Sequence, residues 1–353
     1  MNAVGELLTL ALLPGVRPRD VRPLLARAPL CDSLGQPESH TDILGPRAVE
    51  ALRSGAARRT AAAEQERARA SGVRLVGLDD PDYPRHLREI FDPPPVLWVR
   101  GELDPDEGER AIAVVGCRAA TREGLLLARE LGRTLAAAGV SVVSGLARGI
   151  DSAAHEGALE AQGRSVAVLG SGLDVVYPVE NVGLAQALCA RGGAVVSELP
   201  LGRRARPESF PRRNRILAGW STAVVVVEAG ARSGALITAR CALDEGREVM
   251  AVPGHPGHEN AAGTNALIRD GARLVRDARD VLEELGVELR EQPRPAAAAG
   301  EGLLSALARS VPRSLEQLVA ATGRPASALL SELAVLEVEA RVRRVPGGAF
   351  VRA

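Results

Sequence analysis

Between residues 111 and 254 the sequence alternates short apolar segments with segments of helical length. The apolar segments are AIAVVG, VSVVSG, RSVAVLG, AVVSEL, TAVVVVEAG and EVMAVPG, and helical patterns such as EGLLLARELGRTLAAAG lie between them. Continuous apolar strands that alternate with helices are typical of a parallel sheet with both faces covered. The alternation therefore predicts an α/β fold built on an extended, doubly wound and mostly parallel Rossmann-like sheet.

Regions of different composition flank this alternation. Residues 1–70 have helical patterns, so we expect a small helical domain there, followed by the extended Rossmann-like domain over 71–290. The Pro/Ala/Gly-rich segment 291–301 predicts a linker. Residues 302–353 show the order helix, helix-turn-helix and two short strands, which predicts a winged-helix domain.

The first helical region contains a break that allows two interpretations. The segment LLPGVRPRDVRPLL resembles a helix-hairpin-helix, whose turn presents backbone N–H groups to phosphate. Arg17 stands where a second glycine is usual in such a hairpin. An ordinary turn between two helices is therefore the alternative.

The charge composition limits what the protein binds and catalyses. All 44 basic residues are arginine, and 44 acidic residues balance them, so nucleic-acid binding requires a local cationic patch. Without lysine the chain has neither a Schiff-base lysine nor the lysine of a P-loop. The four cysteines have no CxxC spacing, no apolar run is long enough to span a membrane, and the first residues do not have the pattern of a signal peptide. We expect a cytoplasmic protein.

Four loops that follow strands carry the residue types of anion sites. Because parallel strands end at one edge of a sheet, where ligands bind, we expect these loops to lie together. Glycines and helix N-termini present N–H groups to phosphate. The candidate residues are Gly116 and Arg118 in the first loop, Ser144, Gly145, Arg148 and Gly149 in the second, Gly172 in the third, and Ser233, Gly234 and Thr238 in the fourth.

An arginine-rich segment, RRARPESFPRRNRILAGW over 203–220, precedes the strand of the fourth loop. Cations together with aromatic faces are typical of proteins that bind single-stranded nucleic acid. For Trp220 and Ile216 the alternative is burial in the core. For Phe210, core packing and contact with a ligand remain equally open. The candidate residues are Phe210, Arg212, Arg213, Asn214 and Arg215. For Arg215 the alternative is an ion pair with a carboxylate such as Glu198 or Glu228, which would hold the loop.

Three patterns suggest catalysis or cofactors, and each has a simpler interpretation. Asp151 and His155 are four residues apart on a predicted helix, but no nucleophile accompanies them, which favours capping and packing. The segment HPGHE over 255–259 lacks the helical order of a zinc site. The glycines of GSGLDV over 170–175 form a truncated dinucleotide motif, so NAD binding is not expected. We predict no catalytic residue, metal or cofactor.

The motifs together resemble the DprA/Smf family of DNA-processing proteins. The resemblance covers residues 110–275 in order, with a similar lead-in at DDPDYPRHLREIFDPPPVLWVRGEL. The N- and C-terminal regions of the chain are similar to those of the longer, three-domain members. The matching segments are VVGCRAATREG, VVSGLARGIDSAAHEGAL, AVLGSGLDVVYPVEN, SELPLG, FPRRNRILAGWS, VVVVEAGARSGALITARCALDEGREVMAVPG and GTNALIRDGA.

The resemblance implies a recombination mediator of natural transformation that is not an enzyme. Such a protein binds and protects single-stranded DNA on its Rossmann-like domain, forms a homodimer, displaces single-strand-binding protein and loads the RecA recombinase. The family's DNA pocket would correspond here to Arg118, the loop 144–149, and Phe210, Arg212, Asn214 and Arg215. Cys117 departs from the family's usual serine, which puts one hydroxyl contact in doubt.

Two other classes of function remain as alternatives. A LOG-type nucleotide phosphoribohydrolase has a related Rossmann core, but its P-G-G-x-G-T motif and the glutamate that follows are missing from EAGARSGALITA. A protein-docking module is the third possibility, and the four phosphate-type loops argue against it.

Overall fold

The chain divides into two compact units, Met1–Glu288 and Leu289–Ala353. The predicted linker over 291–301 lies outside the described residues, and the domain boundaries expected at 70 and 290 remain predictions. The computed structural model describes residues 3–287, 303–304, 306–307, 311–338, 341–345 and 348–352.

A single sheet crosses the first unit. Its strands are β1 (Arg74–Gly77), β2 (Val96–Gly101), β3 (Ala111–Val115), β4 (Ser141–Ser144), β5 (Ser165–Leu169), β6 (Ala194–Ser197), β7 (Ala223–Val226), β8 (Glu248–Ala251) and β9 (Arg273–Leu274).

The strand order creates a switch point in the middle of this sheet. Within the described residues the order is β1-β2-β6-β5-β4-β3-β7-β8-β9, parallel from β6 to β9 and antiparallel at β1 and β2. From β3 the chain builds outwards to β6, and then returns to place β7 on the other side of β3. Ligands bind beyond the carboxyl ends of strands at such a point. The predicted fold class is confirmed.

Helices cover both faces of the sheet and form the region before it. They are α1 (Ala3–Ala11), α2 (Pro18–Arg27), α3 (Leu30–Gly35), α4 (Thr41–Leu44), α5 (Pro46–Arg53), α6 (Ala56–Ala70), α7 (Arg85–Glu89), α8 (Arg122–Ala137), α9 (Ile150–Glu160), α10 (Val182–Ala190), α11 (Ser209–Trp220), α12 (Gly234–Asp244), α13 (Ala262–Arg269) and α14 (Ala278–Glu284). Short 3-10 turns occur at Pro37–His40, Glu107–Arg110, Val179–Asn181 and Glu259–Ala261.

Helices α8 and α9 pack against each other through glycines. A Cβ atom on Gly132 would lie 2.1 Å from the carbonyl oxygen of Ala154, and one on Gly157 would lie 1.9 Å from that of Arg129. Both distances are far below van der Waals contact, so only glycine allows the two backbones to approach this closely.

The first unit has a continuous core that joins the N-terminal helices to the sheet. Leu7 and Leu24 belong to the same buried cluster as Val196 of β6. Glu64 on α6 is 1% exposed, and its Oε1 accepts hydrogen bonds from Trp98 Nε1 and from the backbone N–H of Leu201, both at 2.8 Å. A buried carboxylate thus ties α6 to two distant segments of the chain.

The turn between α1 and α2 is occupied by the chain's own side chains. The carboxylate of Asp20 accepts hydrogen bonds from the backbone N–H of Arg17 at 2.9 Å and from its Nε at 3.2 Å. Because this negative charge lies where a hairpin would receive phosphate, the geometry favours the ordinary turn.

The second unit has the winged-helix order that the sequence predicts. Helix α15 (Leu315–Thr322) begins at the cap residue Ser314, α16 (Ala326–Val338) follows, and β10 (Val342–Val345) pairs antiparallel with β11 (Ala349–Arg352). The buried side chains of this unit include Leu318, Leu329, Leu333 and Phe350.

Candidate functional site

The carboxyl ends of β3, β4, β5 and β7 bring residues of the four predicted loops to one edge of the sheet. We call the larger opening there, of about 650 Å³, the cleft. A smaller one of about 340 Å³, the side pocket, adjoins it. The cleft is lined by Gly116, Arg118, Asp151, Phe210, Arg213, Asn214, Ser233, Gly234 and Thr238, and the side pocket by Arg118, Gly145, Arg148, Gly170, Tyr177, Pro178 and Phe210.

Arg118 and Phe210 line both openings and form a ridge between them. The Arg118 guanidinium carbon lies 4.7 Å from the centroid of the Phe210 ring, within the range of a cation–π contact. The Tyr177 ring lies on the side-pocket side, with its centroid 6.0 Å from that of Phe210. An exposed cation therefore stands beside two aromatic rings.

The second loop turns sharply into α9, and its residues have different roles. Ser144 is fully buried and its hydroxyl donates to the carbonyl of Val114 at 2.6 Å, so its expected contact with a ligand is wrong. Gly149 has φ +79°, and a Cβ there would lie 2.3 Å from the carbonyl oxygen of Cys117. Glycine is required at this position because both the φ angle and the space exclude a side chain.

Asp151 holds this loop from below. Its Oδ2 accepts hydrogen bonds from the backbone N–H of Gly145 at 3.1 Å and of Ala147 at 3.4 Å. Burial raises the pKa of the Asp151 carboxyl, and the nearby Arg213 opposes that rise. Asp151 therefore has a structural role, as the sequence favours, but it holds the preceding loop and does not cap α9.

Arg213 lies on the floor of the cleft. Its side chain is buried, and a Cβ on Gly145 would overlap the guanidinium group, with Nη1 only 1.7 Å away. Nη1 donates to the carbonyl of Val168 at 2.7 Å. Asn214 beside it donates from Nδ2 to the carbonyl of Gly234 at 3.3 Å, which links α11 to the start of α12.

Arg215 does not line the cleft, which contradicts its expected place in the pocket. Its side chain is 10% exposed and forms ion pairs with Glu198 at 2.5 Å and Asp92 at 3.1 Å. The side chain points to the other side of α11 because residue 215 lies off the 210, 213, 214 face. Arg212 is exposed and lies 3.6 Å from Glu198, on the rim of the site.

Two further predicted residues lie at the border of the site. Arg148 is exposed and forms an ion pair with Glu180. Gly172 is buried and lines neither opening. Its N–H donates to the carbonyl of Arg203 at 2.8 Å, and a Cβ there would lie 2.6 Å from the carbonyl oxygen of Pro200, so glycine allows a close backbone approach.

Helix α12 begins directly at the cleft. Ser233 caps it, with its hydroxyl accepting from the N–H of Ala235 at 3.3 Å. A Cβ on Gly234 would meet no atom within 4 Å, so the helix N-terminus is open at this point. Thr238 lies one turn later and is 2% exposed. The N-terminus of a helix carries a partial positive charge that favours anions.

The structure also decides between the alternatives left open by the sequence. Trp220 and Ile216 are both fully buried, so the core interpretation is correct. His155 is fully buried, with Nδ1 2.7 Å from the Ser165 hydroxyl, and burial lowers its pKa to about 3. His155 thus has the packing role that the sequence favours over a catalytic dyad. His255 and His258 have rings 5.4 Å apart, and within the described residues no three potential ligands gather to hold a metal.

Sequence reasoning did not find Tyr177, which lies in an irregular loop after β5. The only signal was the YP pair within the matching segment AVLGSGLDVVYPVEN. It also did not find Asp92 as a partner of Arg215, because the two residues are far apart in the chain.

The fold and the cleft define a Rossmann-like α/β protein with an anion-type site at its switch point. The family comparison then identifies it further: the chain belongs to the DNA recombination-mediator protein A family, whose model matches residues 74–286. The DprA winged helix domain matches residues 287–348. The family expected from the motifs is confirmed, and with it the class of DNA-processing recombination mediators.

Relatives and solved structures agree with this assignment. The chain is 40% identical over 290 residues to protein Smf of Escherichia coli. The matched region covers 79% of this chain and 77% of that protein. The X-ray structure of DNA processing protein A from Streptococcus pneumoniae matches with a TM-score of 0.66 and 33% identity, over 79% of this chain and 95% of that one.

A second solved structure concerns DNA processing protein A from Helicobacter pylori and its single-stranded DNA binding mode. It matches with a TM-score of 0.53 and 27% identity, over 60% of this chain and 95% of that chain.

In the described part of the present chain, no helix has the length and apolarity needed to cross a membrane.

Proposed function

We propose that the protein binds single-stranded DNA at the cleft and the side pocket and acts as a recombination mediator without catalysing a reaction. The observation that carries this is the ridge of Arg118 and Phe210. Within the described residues no carboxylate forms an ion pair with Arg118, so its charge is available to a phosphate. Bases of an unpaired strand are free to stack on the neighbouring rings.

The proposed contacts follow from the positions around the ridge. Arg118, Arg148 and Arg212 are exposed cations at the edge, and Arg213 lies in the cleft floor. The N-terminus of α12 adds a site for a further phosphate. With about five phosphates neutralised, the logarithm of the binding constant should fall with the logarithm of salt concentration at a slope of about −3.5.

The enzyme alternative is less well supported because the carboxylate after β7 is already engaged. Glu228 accepts hydrogen bonds from the backbone N–H of Thr121 at 2.9 Å and from Nδ2 of Asn260 at 3.3 Å. These bonds hold three loops together, which is a structural task.

The wider role is part of the same proposal. We infer that the protein is cytoplasmic, forms a homodimer through its Rossmann-like domain, protects incoming single strands, displaces single-strand-binding protein and loads RecA. The domains proposed for these tasks are 1–70, 71–290 and 302–353, with the linker 291–301 between the last two. The Helicobacter pylori relative described for its single-stranded DNA binding mode supports the DNA part of this proposal.

The test is Arg118→Ala measured against a matched control. Removing one charge-assisted contact weakens binding by about 1.5–3 kcal/mol, or about 10- to 150-fold in affinity. The control is Arg191→Ala, because Arg191 is also exposed but lies before β6, at the opposite edge of the sheet.

Fluorescence anisotropy with a labelled single strand measures both variants, and thermal melting checks that they are folded. We expect the large loss for Arg118→Ala alone, with an unchanged melting temperature. Equal affinity of the two variants, or equal affinity of the wild type for duplex and single-stranded DNA, would contradict the proposal.

A further inference from the structure

The floor of the cleft holds a buried cation with an unsatisfied hydrogen-bond donor. The Arg213 side chain is 5% exposed, and its Nε has no hydrogen-bond partner. Within the described residues no carboxylate forms a direct ion pair with it, and the charge of Asp151 attracts it only from a greater distance. A buried charge is costly unless it is paired. The Arg213 guanidinium therefore points to a negatively charged ligand in the cleft.

The N-terminus of α12 lines the same cleft. This helix has 11 residues, and the open position at Gly234 lets a ligand reach its first turn. Asn214 and Thr238 add an amide and a hydroxyl to the lining. A phosphate placed here would receive the positive end of the helix together with the Arg213 charge.

Asp151 lines the cleft as well and adds an acceptor. Its Oδ2 is used by the loop 145–147, while its Oδ1 receives no hydrogen bond from the described residues. The cleft thus combines a site for an anion with an acceptor that has no donor. A ligand that fills both must carry a phosphate and a free O–H or N–H group.

We infer that the cleft binds one nucleotide that has a 5′-phosphate and a free 3′-hydroxyl. The phosphate lies against Arg213 and the N-terminus of α12, and the hydroxyl donates to Asp151.

A free nucleoside monophosphate and the 3′-terminal nucleotide of a DNA strand share this chemistry. An internal deoxynucleotide has no free sugar hydroxyl, so only the N–H groups of its base could donate to Asp151. The second source rests on the proposed function, because the rest of the strand would then cross the ridge of Arg118 and Phe210. The proposal thus goes beyond single-strand binding, since it makes the protein sense a strand end or a free nucleotide.

The experiment uses the full chain and two probes in isothermal titration calorimetry: deoxythymidine 5′-monophosphate and its 2′,3′-dideoxy analogue. Loss of one hydrogen bond to a charged group should weaken binding of the dideoxy nucleotide about tenfold or more. Asp151→Asn should remove this difference, because the amide can still accept from Gly145 while presenting a donor to the cleft. Thr238→Val is the second variant, and it should weaken both probes equally.

A second arm separates the two sources by comparing a linear single strand with a closed circle of the same sequence. If the 3′ end is a ligand, the linear strand competes with the mononucleotide and the circle does not. If neither strand competes while the mononucleotide binds, the free nucleotide is the ligand of the cleft.

Two results would overturn the inference. The first is equal affinity for both nucleotides in the wild type, which needs no variant to interpret. The second is the absence of mononucleotide binding up to about 1 mM. If the circle still binds and Arg118→Ala still weakens it, the proposed function stands without the inference; if neither strand binds, the proposed function itself fails.

Discussion

Replacing Arg215 by methionine should destabilise the protein and leave its DNA site almost intact. The guanidinium lies between Glu198, whose side chain is 5% exposed, and Asp92, whose side chain is 26% exposed. Methionine keeps much of the volume and removes the charge. Of the ion pairs that Glu198 forms within the described residues, the one with the exposed Arg212, at 3.6 Å, is then left.

The magnitude follows from the burial of these groups. Breaking a buried ion pair by removing one partner costs about 3–5 kcal/mol. Burial already raises the pKa of Asp92 despite the attraction of Arg215, so that pair contributes less and the lower end applies. A cost of about 3 kcal/mol corresponds to a fall in melting temperature of about 6–12 °C for a unit of this size.

Scanning calorimetry gives the melting temperature, and anisotropy below that temperature gives the affinity for a single strand. Arg212→Met is the matched control, because an exposed ion pair contributes about 0–1 kcal/mol to stability while its cation lies on the rim of the site. We expect Arg215→Met to lower the melting temperature with less than about a threefold change in affinity. Arg212→Met should weaken DNA binding and leave the melting temperature almost unchanged. An Arg215→Met protein that melts like the wild type and binds DNA tenfold more weakly would refute the reasoning.

Two further predictions concern stability. His155 has a pKa of about 3 in the folded protein, below its value of 6.5 in the unfolded chain. The stability that depends on its neutral form is therefore fully present above pH 6.5 and is lost as the pH falls towards 3. Between pH 7 and pH 5 the free energy of unfolding, measured with urea, should therefore fall by about 2 kcal/mol less for His155→Gln than for the wild type. An equal fall in the two proteins would contradict this. Gly132→Ala should destabilise the protein by about 1–3 kcal/mol, because its Cβ would lie 2.1 Å from the carbonyl oxygen of Ala154. The control is Gly183→Ala on the open face of α10, which should be neutral or stabilising by up to about 1 kcal/mol. Equal melting temperatures of the two variants would disprove the glycine contact.

The arrangement of the loops could be predicted because it depends only on strand direction. Apolar strands separated by helices must run parallel, and parallel strands end at one edge. Strand direction alone therefore predicts that the residues after β3, β4, β5 and β7 lie together. It could not assign roles within a loop: Ser144 is the last residue of β4, and its hydroxyl donates to Val114 of β3.

The arginine-rich helix shows both the reach and the limit of a pattern. Phe210, Arg213, Asn214 and Leu217 line the cleft, with the i, i+3, i+4, i+7 spacing of one helical face. Applied to α11, that spacing would have separated Arg213 from Arg215. Glu198 is one of the two carboxylates that the sequence suggests as a partner of Arg215, and the structure confirms it. Asp92 could not be predicted, because it comes close to Arg215 only through tertiary packing.

The hydrogen bonds of Glu64 have a consequence for exchanging segments between homologous proteins. A chimaera joined near residue 70 would take α6 from one parent, and Trp98 and the N–H of Leu201 from the other. If the donor helix supplied no acceptor at position 64, two buried N–H groups would lose their partner at a cost of about 1–3 kcal/mol each. Crossovers at this apparent boundary are therefore tolerated only between parents that share the acceptor, even though the join itself lies outside the sheet.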